Sequence, residues 1–547
     1  MSTAGVSSDE RRALLESISR ALQAGDIAEG RRLSEQALGQ GLEHPLFLNL
    51  RALGHDEAGR HEDALQDLRR AHFLAPDDFA ILNALGLACA RTDRFAEAVA
   101  CYDKALAIRP DFAPAWYNRG WSLERQGEMA DAARSYDKAT ELDPKHAHAW
   151  ANTAWLAAGR GDAVTARAAA ERSLGLQPDI ALADLALAAV ELDDPASAEQ
   201  RLRGLLARPD LDASHRALAL SQLGDALDRQ DRPGPAFEAY DEGNRVFRAI
   251  AAPRYEAPGQ ETAADALGWM LQWAEDLDGA VWRSNVAEAP SQAGEREHVF
   301  LMGFPRSGTT LIESMLGVHP DIVTLEERNT LQASMRAFLA DPQGLRRLQL
   351  MSPRALQSYR DDYWRSVQGF GADPRGKIFI DKNPFNTLRL PLIWKLFPRA
   401  KVIFAVRDPR DVVFSCFRRR FGLNPSNYQF LDLERTARFY DGSMRFAAAL
   451  REKQDLAEHR MVYERLIDDF GGESRAVCAF IGAAWRGDLD DFADRGRRGG
   501  VASASAAQIS RGLFSDGAGQ WRRYRDQLAP ILPVLAPWVE RFGYPPV

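Results

Sequence analysis

The sequence predicts a multidomain chain, an N-terminal all-α repeat solenoid followed by a C-terminal α/β domain with a P-loop-like parallel sheet. Three observations lead to this prediction. Amphipathic helical stretches recur with a period of 34 residues through most of the first half, as expected when similar helical units stack on one another. The period stops after about residue 250. Short apolar runs then alternate with long helical segments, a pattern typical of a buried parallel sheet.

The repeat is visible at several kinds of position at once. Each unit holds two amphipathic helical stretches and ends in a proline-bearing turn, because proline cannot continue the second helix. Small residues recur where two helices would approach closely, and aromatic residues recur where they would fill the gap to the next unit. The recurring positions are Pro76, Pro110, Pro144 and Pro178; Ala64, Ala98, Ala132 and Ala166; Gly86 and Gly120; Tyr102 and Tyr136; and Trp116 and Trp150.

These units resemble the tetratricopeptide repeat. They cover residues 45–78, 79–112, 113–146, 147–180 and about 217–250, of which the first is the weakest match. The resemblance implies a helical array over residues 10–250 whose concave groove binds a protein or peptide. A spacer or a dimerisation arm is the alternative interpretation of the same array.

Bulk composition excludes several functional classes. A net charge of −8 and a pI near 5.8 argue against a nucleic-acid partner, so any anion site must be a local basic cluster. No apolar run reaches the length of a membrane span, and the N-terminus has no apolar signal segment. The four cysteines form no C-x-x-C pair and have no nearby histidines at metal-site spacing, which indicates small buried residues in a reducing compartment. We therefore expect a cytoplasmic protein that has no membrane span and requires no metal.

The second half begins after a predicted linker. Residues 251–297 contain turn-forming stretches around one short helix near 262–275, and a domain over residues 298–547 follows. Its predicted strands are the apolar runs VFLM at 299–302, KIFI at 377–380 and KVIFAV at 401–406. Buried strands of this kind, separated by helices, predict a parallel sheet covered on both faces.

A phosphate-binding loop is predicted directly after the first of these strands. The run VFLMGFPRSGTTLIESML at 299–316 gives a strand, a turn and an amphipathic helix, with Gly303 and Gly308 spaced as in a P-loop. The backbone amides of such a loop hold a phosphate or sulfate at the helix N-terminus. The Walker lysine is replaced by Thr309, and the cation is Arg306 inside the loop. A sulfuryl group carries less charge than a triphosphate, so this weaker set of charges suits it.

This stretch resembles the 5′-phosphosulfate loop of sulfotransferases, which use 3′-phosphoadenosine-5′-phosphosulfate (PAPS). Further segments resemble the family in the same order, above all the tyrosylprotein sulfotransferases and the bacterial repeat-fused enzymes related to them. These segments are FIDKNPFN (379–386), VIFAVRDPRDVVFSCF (402–417), MVYERLIDDF (461–470), ASASAAQISRGLF (502–514) and GQWRRYRDQLAP (519–530). The resemblance implies a sulfotransferase domain with PAPS as donor.

The resemblance also assigns the donor site residue by residue. One group would hold the 5′-phosphosulfate and a second the 3′-phosphate, since arginine offers phosphate a bidentate fork and serine one further donor. Tyr463 would contact the nucleotide, and Ser505 would complete the site, with Ser503 as the alternative. The first group is Arg306, Ser307, Gly308, Thr309 and Thr310, and the second is Arg407 and Ser415.

The same resemblance implies that three residues carry out the transfer. Glu327 would take the proton of the acceptor hydroxyl, while Lys382 and Arg306 would stabilise charge as the donor bond breaks. Glu327 is the second residue of a Glu-Glu pair, and Glu326 is the alternative base. The acceptor is a protein tyrosine, a peptide, a glycan or a small alcohol, and the glutamate base together with the repeat array favours tyrosine.

The chain departs from the family at several positions. After the glutamate pair the family has threonine and then arginine, whereas this chain has Arg328 and Asn329. Gln520 stands where the family has a basic residue, and Arg522 could supply the missing contact. Structural roles are the alternatives elsewhere: a salt bridge from Arg407 to Asp408 or Asp411, an ordinary surface lysine for Lys382, and a solvated acidic helix start for Glu327. Residues 418–420 are predicted to form a solvated helix face, and a position at the mouth of the donor site is the alternative for them.

Two other functions fit parts of the pattern. A P-loop kinase would share the strand, loop and helix but would need the Walker lysine and magnesium. A repeat scaffold with an inactive nucleotide domain would not need the full set of charged residues found here.

Overall fold

The computed structural model describes residues 8–284, 293–454, 457–487, 489 and 517–546. The chain divides into two compact units, Met1–Val190 and Glu191–Val547. None of the helices in these described ranges is long and apolar enough to cross a membrane.

The first unit consists of eleven helices in its described part, and consecutive helices pack against each other. The helices are α1 (Ser8–Gln23), α2 (Ile27–Gly39), α3 (Pro45–Glu57), α4 (His61–Leu74), α5 (Phe79–Arg91), α6 (Phe95–Ile108), α7 (Ala113–Gln126), α8 (Met129–Leu142), α9 (Ala147–Gly159), α10 (Ala163–Leu176) and α11 (Ala181–Val190). The predicted all-α repeat array is confirmed in this unit.

The recurring glycines are required by the recurring tyrosines. A Cβ atom at Gly86 would lie 2.5 Å from the ring of Tyr102, and one at Gly120 would lie 2.7 Å from the ring of Tyr136. Both tyrosines are buried between the two helices of their hairpin. A larger residue at either glycine would force the hairpin apart, since packed interiors tolerate little added volume.

The recurring tryptophans and prolines are also joined by contacts. The indole Nε1 of Trp116 donates to the carbonyl of Pro110 at 2.8 Å, and that of Trp150 donates to the carbonyl of Pro144 at 3.1 Å. Each bond links the turn at the end of one unit to the first helix of the next. The period of 34 residues therefore reflects a repeated pair of contacts, one steric and one hydrogen-bonded.

The second unit starts with three more helices, α12 (Pro195–Leu206), α13 (Ala213–Arg229) and α14 (Pro233–Tyr255). Gly224 on α13 faces Tyr240 on α14 in the same way as the glycine–tyrosine pairs above, as their spacing predicts. Helices α15 (Ala263–Asp276) and α16 (Gly279–Ser284) follow, and a capping box between Thr262 and Asp265 begins α15.

Five parallel strands form the sheet of the second unit, in the order β2-β3-β1-β4-β5. The central strands β1, β3 and β4 are almost wholly buried, which explains why they are apolar runs in the sequence. The strands are β1 (Glu297–Met302), β2 (Ile322–Glu326), β3 (Ile378–Lys382), β4 (Lys401–Val406) and β5 (Glu458–Val462). The predicted parallel α/β sheet is confirmed.

Helices connect and cover the strands. They are α17 (Thr309–Leu316), α18 (Gln332–Phe338), α19 (Gly344–Leu350), α20 (Gln357–Gly369), α21 (Leu390–Leu396), α22 (Pro409–Arg418), α23 (Pro425–Tyr428), α24 (Leu433–Lys453), α25 (Tyr463–Asp468), α26 (Phe470–Ile481), α27 (Arg525–Leu528) and α28 (Leu532–Arg541). Short 3-10 helices occupy Pro384–Arg389, Gln429–Leu431, Gln520–Tyr524 and Ala529–Ile531. One apolar core lies between the sheet and helices α17 and α26.

Candidate active site

A candidate residue lies at or shortly after the carboxyl end of each of the five strands. The strands are parallel, so their carboxyl ends meet at one edge of the sheet, the edge where open α/β sheets bind ligands. Lys382 is the last residue of β3, and the other candidates follow the ends of β1, β2, β4 and β5. They are Arg306, Glu327, Arg407 and Tyr463, in the same order as those strands.

The loop between β1 and α17 is shaped by its two glycines. Gly308 has a φ of 101°, and a Cβ atom there would lie 2.8 Å from the ring of Tyr463. A Cβ atom at Gly303 would lie 2.6 Å from both the carbonyl oxygen of Ala405 and the hydroxyl of Ser307. Only glycine adopts the positive φ of position 308 without strain. The loop therefore lies close against β4 and the residue that follows β5.

Arg306 is held in a strained and buried position. Its φ is 71°, a left-handed conformation that is uncommon for a residue with a side chain. Its Nε donates to the hydroxyl of Ser415 on α22 at 3.0 Å. Burial, together with the charges of Arg419 and Arg407, lowers the pKa of Arg306 to about 9. Several cations are thus gathered in one buried place, which strongly favours binding of an anion.

Two buried donors in the same place have no hydrogen-bond partner among the described residues. They are the hydroxyl of Ser307 and the Nε of Arg407. The other guanidinium nitrogens of Arg407 donate to the carbonyl of Arg306, at 3.0 Å, and to the carbonyl of Gly517. Its guanidinium also lies 4.8 Å from the centre of the Tyr463 ring. Buried donors of this kind are normally satisfied, so a ligand with acceptor oxygens would complete them.

Lys382 is fully buried and contacts three carboxylates. Its Nζ lies 3.1 Å from Glu313, 3.1 Å from Glu326 and 3.0 Å from Glu327. Burial lowers the pKa of Lys382, but the carboxylates of Glu313, Glu327 and Glu326 outweigh it and raise that pKa above the ordinary value. The side chain therefore carries its positive charge at neutral pH. The alternative of a surface lysine is wrong, because its side chain is 0% exposed.

The three glutamates differ in how far they are exposed. The side chain of Glu313 on α17 is 8% exposed, that of Glu326 is 22% exposed, and that of Glu327 is 48% exposed. Burial raises the pKa of Glu313 to about 7, although Lys382 opposes this rise. Glu327 is consequently the carboxylate that an incoming acceptor can reach most easily.

Glu327 is held by the backbone as well as by Lys382. Its amide donates to the carbonyl of Lys382 at 2.7 Å, and its φ is 48°. The pairing of β2 with β3 places Glu326 directly beside Lys382. Glu327 directly follows the last residue of β2, so the alternative of an acidic helix start is wrong.

A buried polar network holds the turn after Glu327. The carboxylate of Asp381 accepts from Thr330 at 2.7 Å, from Tyr363 at 2.9 Å and from Asn386 at 3.2 Å. Asp381 and Thr330 are both buried. The network therefore ties the segment after β2 to β3, the strand that ends in Lys382.

The unusual residues after the glutamate pair also have partners. Arg328 lies over the ring of Phe370 at 5.4 Å, and Asn329 accepts from Arg389 at 3.4 Å. Arg389 is itself buried. These contacts show where the two residues that depart from the family pattern are placed.

The structure places some of the remaining predicted residues and does not describe others. Thr309 and Thr310 are buried in the first turn of α17, next to the loop. Ser505 and Ser503 fall outside the described residues. Gln520, at the position of the missing basic residue, accepts a hydrogen bond from Arg418.

The prediction of a solvated face for residues 418–420 is wrong. Arg418 is 7% exposed, and the next two arginines are half-buried. Arg418 and Arg419 form ion pairs with Asp228 and Asp225 of α13. An arginine run at a helix end is ordinarily exposed, but here the preceding helical hairpin covers it.

Glu313 and Asp411 lie beside the candidate residues, but the sequence predicts no role for Glu313 and only the alternative salt bridge to Arg407 for Asp411. Asp411 on α22 is 1% exposed and accepts from the amides of Gly519, at 2.6 Å, and Trp521, at 2.8 Å. A usable signal existed for Glu313, which lies between Ile312 and Met315 on the buried face of α17. A carboxylate in such a face requires a buried partner.

We expect the Glu313→Gln variant to gain stability relative to wild type as pH rises. The pKa of Glu313 is higher in the folded protein than in the unfolded chain, so its contribution to stability is complete below about pH 4.5 and is lost as pH rises through about 7. Glutamine does not titrate. Between pH 5 and pH 8 the difference in unfolding free energy should move by on the order of 1–3 kcal/mol in favour of the variant. Denaturation curves at both pH values measure this, and a difference that does not change with pH contradicts it.

Comparison with known proteins agrees with this geometry. Residues 298–487 match the family model described as Sulfotransferase family, and residues 15–78, 92–127 and 113–146 match tetratricopeptide repeat models. The chain is 25% identical over 254 residues to an uncharacterized protein of Aquifex aeolicus (strain VF5), a match covering 43% of this chain and 32% of that relative. It is 25% identical over 262 residues to protein-tyrosine sulfotransferase 1 of Danio rerio, covering 45% of this chain and 72% of that relative.

A solved structure is also similar. The sulfotransferase domain of the Synechococcus PCC 7002 olefin synthase aligns with a TM-score of 0.32 and 22% identity, covering 43% of this chain and 90% of that domain. The family matches and the arrangement of residues at the carboxyl edge of the sheet lead to one assignment. This chain joins tetratricopeptide repeats to a domain of the sulfotransferase family.

Proposed function

We propose that this protein transfers a sulfuryl group from PAPS to the hydroxyl of an acceptor, with a protein or peptide tyrosine as the favoured acceptor. One observation carries the proposal. A buried cluster of Arg306, Arg407 and Ser415, joined by hydrogen bonds, lies at the same sheet edge as the Lys382–Glu327 ion pair. The first group suits the anionic ends of a nucleotide donor, and the second suits proton removal from a hydroxyl.

The donor would be bound at both of its ends. The loop amides, Ser307 and Arg306 would hold the phosphosulfate at the N-terminus of α17, where backbone amides favour an anion. Arg407 and Ser415 would hold the 3′-phosphate, and the unpartnered Nε of Arg407 is a donor available for it. Tyr463 packs on Arg407 and would border the nucleotide. The contacts of Arg407 are to carbonyls, so the alternative of a salt bridge to Asp408 or Asp411 does not account for them.

In the transfer step the acceptor oxygen forms a bond to sulfur while the bond from sulfur to the bridging phosphate oxygen breaks. The acceptor proton moves to Glu327, the most exposed of the three glutamates. Once Glu327 is neutral, Lys382 loses part of the negative charge that surrounds it. Its ammonium is then better able to stabilise the charge that develops on the leaving oxygen. Adenosine 3′,5′-bisphosphate leaves as the second product.

The remaining proposals concern partner and compartment. The concave groove of the repeat array would bind the polypeptide acceptor or a partner protein, as stacked repeats commonly do. The name of the Danio rerio relative, protein-tyrosine sulfotransferase 1, supports tyrosine as acceptor. All four cysteines are free thiols, which fits a reducing compartment such as the cytoplasm.

An acceptor screen with labelled PAPS tests this function. Tyrosine-containing peptides, a glycan and small alcohols are offered in parallel, and label is expected in the tyrosine peptides. Transfer should continue in EDTA, because every proposed role belongs to a side chain or a backbone amide. A loss of activity in EDTA that magnesium restores would favour the P-loop kinase. Failure to label any acceptor, together with failure to bind the bisphosphate, would contradict the proposal.

Loss of the Arg407 side chain should weaken binding of adenosine 3′,5′-bisphosphate by roughly tenfold to a hundredfold. A charge-assisted hydrogen bond to a phosphate is worth about 1.5–3 kcal/mol. Isothermal titration of the Arg407→Ala variant measures this loss. Arg438→Ala is the control, because Arg438 is an exposed arginine of α24 paired only four positions away with Glu434. Wild-type affinity in Arg407→Ala would remove this residue from the 3′-phosphate site.

A further inference from the structure

We propose that Asp228, on the helical hairpin α13–α14, is a positioning residue for the donor site. It anchors the segment 517–524, which contacts Arg407, the residue assigned above to the 3′-phosphate. The hairpin has the glycine–tyrosine contact of the repeat units, so one repeat-like hairpin would serve donor binding in addition to any partner binding by the array. This inference rests on the proposed function, since it assumes a nucleotide donor with a 3′-phosphate.

The segment 517–524 is joined directly to the proposed 3′-phosphate residues. The carbonyl of Gly517 accepts from Arg407, and a Cβ atom at Gly517 would lie 2.6 Å from the Tyr463 hydroxyl. The amides of Gly519 and Trp521 donate to the buried carboxylate of Asp411. The indole of Trp521 also lies 3.9 Å from the guanidinium of Arg410. Movement of this segment would therefore change the surroundings of Arg407.

Asp228 makes three contacts that converge on this segment and on α22. Its carboxylate accepts from the Tyr524 hydroxyl at 2.5 Å and from Arg523 at 2.8 Å, both within the segment. It also pairs with Arg418, the last residue of α22, at 3.4 Å. Its side chain is only 16% exposed. A largely buried carboxylate with several donors holds them more firmly than an exposed ion pair does.

The hairpin that carries Asp228 is itself fixed to the end of α22. Asn244 of α14 donates to the carbonyl of Phe417 at 2.8 Å and accepts from Arg420 at 2.7 Å. The rings of Phe237 and Phe417 are stacked with centres 5.3 Å apart. Helix α22 also carries Ser415 and Asp411. The hairpin therefore supports both the helix and the segment that border Arg407.

The charge on Asp228 also bears on the arginines around the site. Arg418 and Arg419 lie close enough to Arg306 to lower its pKa. Asp228 and its neighbour Asp225 hold these two arginines by ion pairs at 3.4 Å and 3.2 Å. If Asp228 loses its charge, Arg418 and the segment lose a common anchor, and donor binding should weaken although Asp228 touches no donor atom.

The test compares Asp228→Asn with wild type in the full-length chain, by titration with adenosine 3′,5′-bisphosphate. The dissociation constant is expected to rise about tenfold. In steady-state assays the KM for PAPS should rise while the KM for the acceptor stays within about twofold. Hydrogen exchange at the amides of Gly519 and Trp521 should quicken in the variant. A merely structural role would lower the thermal midpoint and would not separate the two KM values.

The matched control is Asp231→Asn. Asp231 pairs with the same Arg523 at 2.9 Å, but its side chain is 87% exposed, so the bisphosphate affinity should stay within about twofold of wild type. If Asp228→Asn does not fold, Tyr524→Phe decides, because it removes one donor to Asp228 from the other side and should weaken binding several-fold. Wild-type affinity in a folded Asp228→Asn or, failing that, in Tyr524→Phe would overturn the inference alone. Absence of bisphosphate binding by wild type would overturn it together with the proposed function.

Discussion

Replacement of Glu327 by glutamine is expected to lower the rate of sulfuryl transfer by about 10²–10⁴-fold, the usual contribution of a positioned general base. Glutamine keeps the size of the side chain and can still accept a hydrogen bond from Lys382, 3.0 Å away. It cannot take the acceptor proton. The affinity for adenosine 3′,5′-bisphosphate should stay within about twofold, because Glu327 follows β2 whereas the proposed phosphate residues follow β1 and β4. Single-turnover transfer from labelled PAPS measures the rate.

Glu326→Gln is the matched control for this experiment. Glu326 contacts the same Lys382 at 3.1 Å, but it ends a strand and its side chain is 22% exposed, against 48% for Glu327. We expect a smaller loss of rate in this variant. A larger loss in Glu326→Gln than in Glu327→Gln would make Glu326 the base. Loss of both transfer and bisphosphate binding in Glu327→Gln would indicate that Glu327 supports the turn after β2 and does not act as a base.

The repeat array could be predicted because its determinants are local. Gly86 faces Tyr102 within one hairpin, and Trp116 bonds to Pro110 only six positions away. Such contacts recur with the period of the sequence. The central strands could be predicted equally well, because strands buried on both faces are continuous apolar runs. Because open parallel sheets bind ligands at the carboxyl ends of their strands, a site residue such as Arg407 that directly follows a predicted strand is expected at that edge.

The edge of the sheet was harder to predict. The strand IVTLE at 322–326 is buried only at Ile322 and Leu325, and it is only five residues long. A short edge strand with polar residues has little signal of its own. Its pairing with β3, and the contact between Glu326 and Lys382 that follows from it, depend on residues 56 positions apart. Glu313 was missed for the same reason, because its partner Lys382 is distant in the sequence.

The environment of Arg418 shows a second limit of local patterns. Three consecutive arginines at the end of a helix ordinarily indicate a solvated surface. Their partners Asp225, Asp228 and Asn244 lie on α13 and α14, between 176 and 194 positions away. The repeat-like spacing of these two helices predicts their hairpin but contains no information on what the hairpin packs against. Only the folded second unit shows that the hairpin covers the arginines.

The second large effect is expected for Lys382. Replacement by methionine should lower the transfer rate by about 10²–10³-fold, because one preorganised positive group at the leaving oxygen is lost. The variant should also lose about 3–5 kcal/mol of stability, since three carboxylates would face one another without their buried cation. Rate is therefore measured per folded molecule, with the folded fraction determined by tryptophan fluorescence. Lys395→Met is the control for burial. Lys395 is also buried, but it lies six positions before the start of β4, away from the carboxyl edge of the sheet, and it donates to the carbonyl of Trp282 at 2.8 Å.

A double variant separates the catalytic effect of Lys382 from the structural one. Glu313→Gln removes the most buried of the three carboxylates, so its combination with Lys382→Met relieves much of the repulsion. We expect the double variant to recover most of the lost stability and to remain as slow as Lys382→Met, because the positive charge is still absent. Recovery of both stability and rate would show that Lys382 serves the fold alone. Recovery of neither would show that Gln at position 313 disturbs α17, a case in which the single Glu313→Gln variant would be slow and unstable as well.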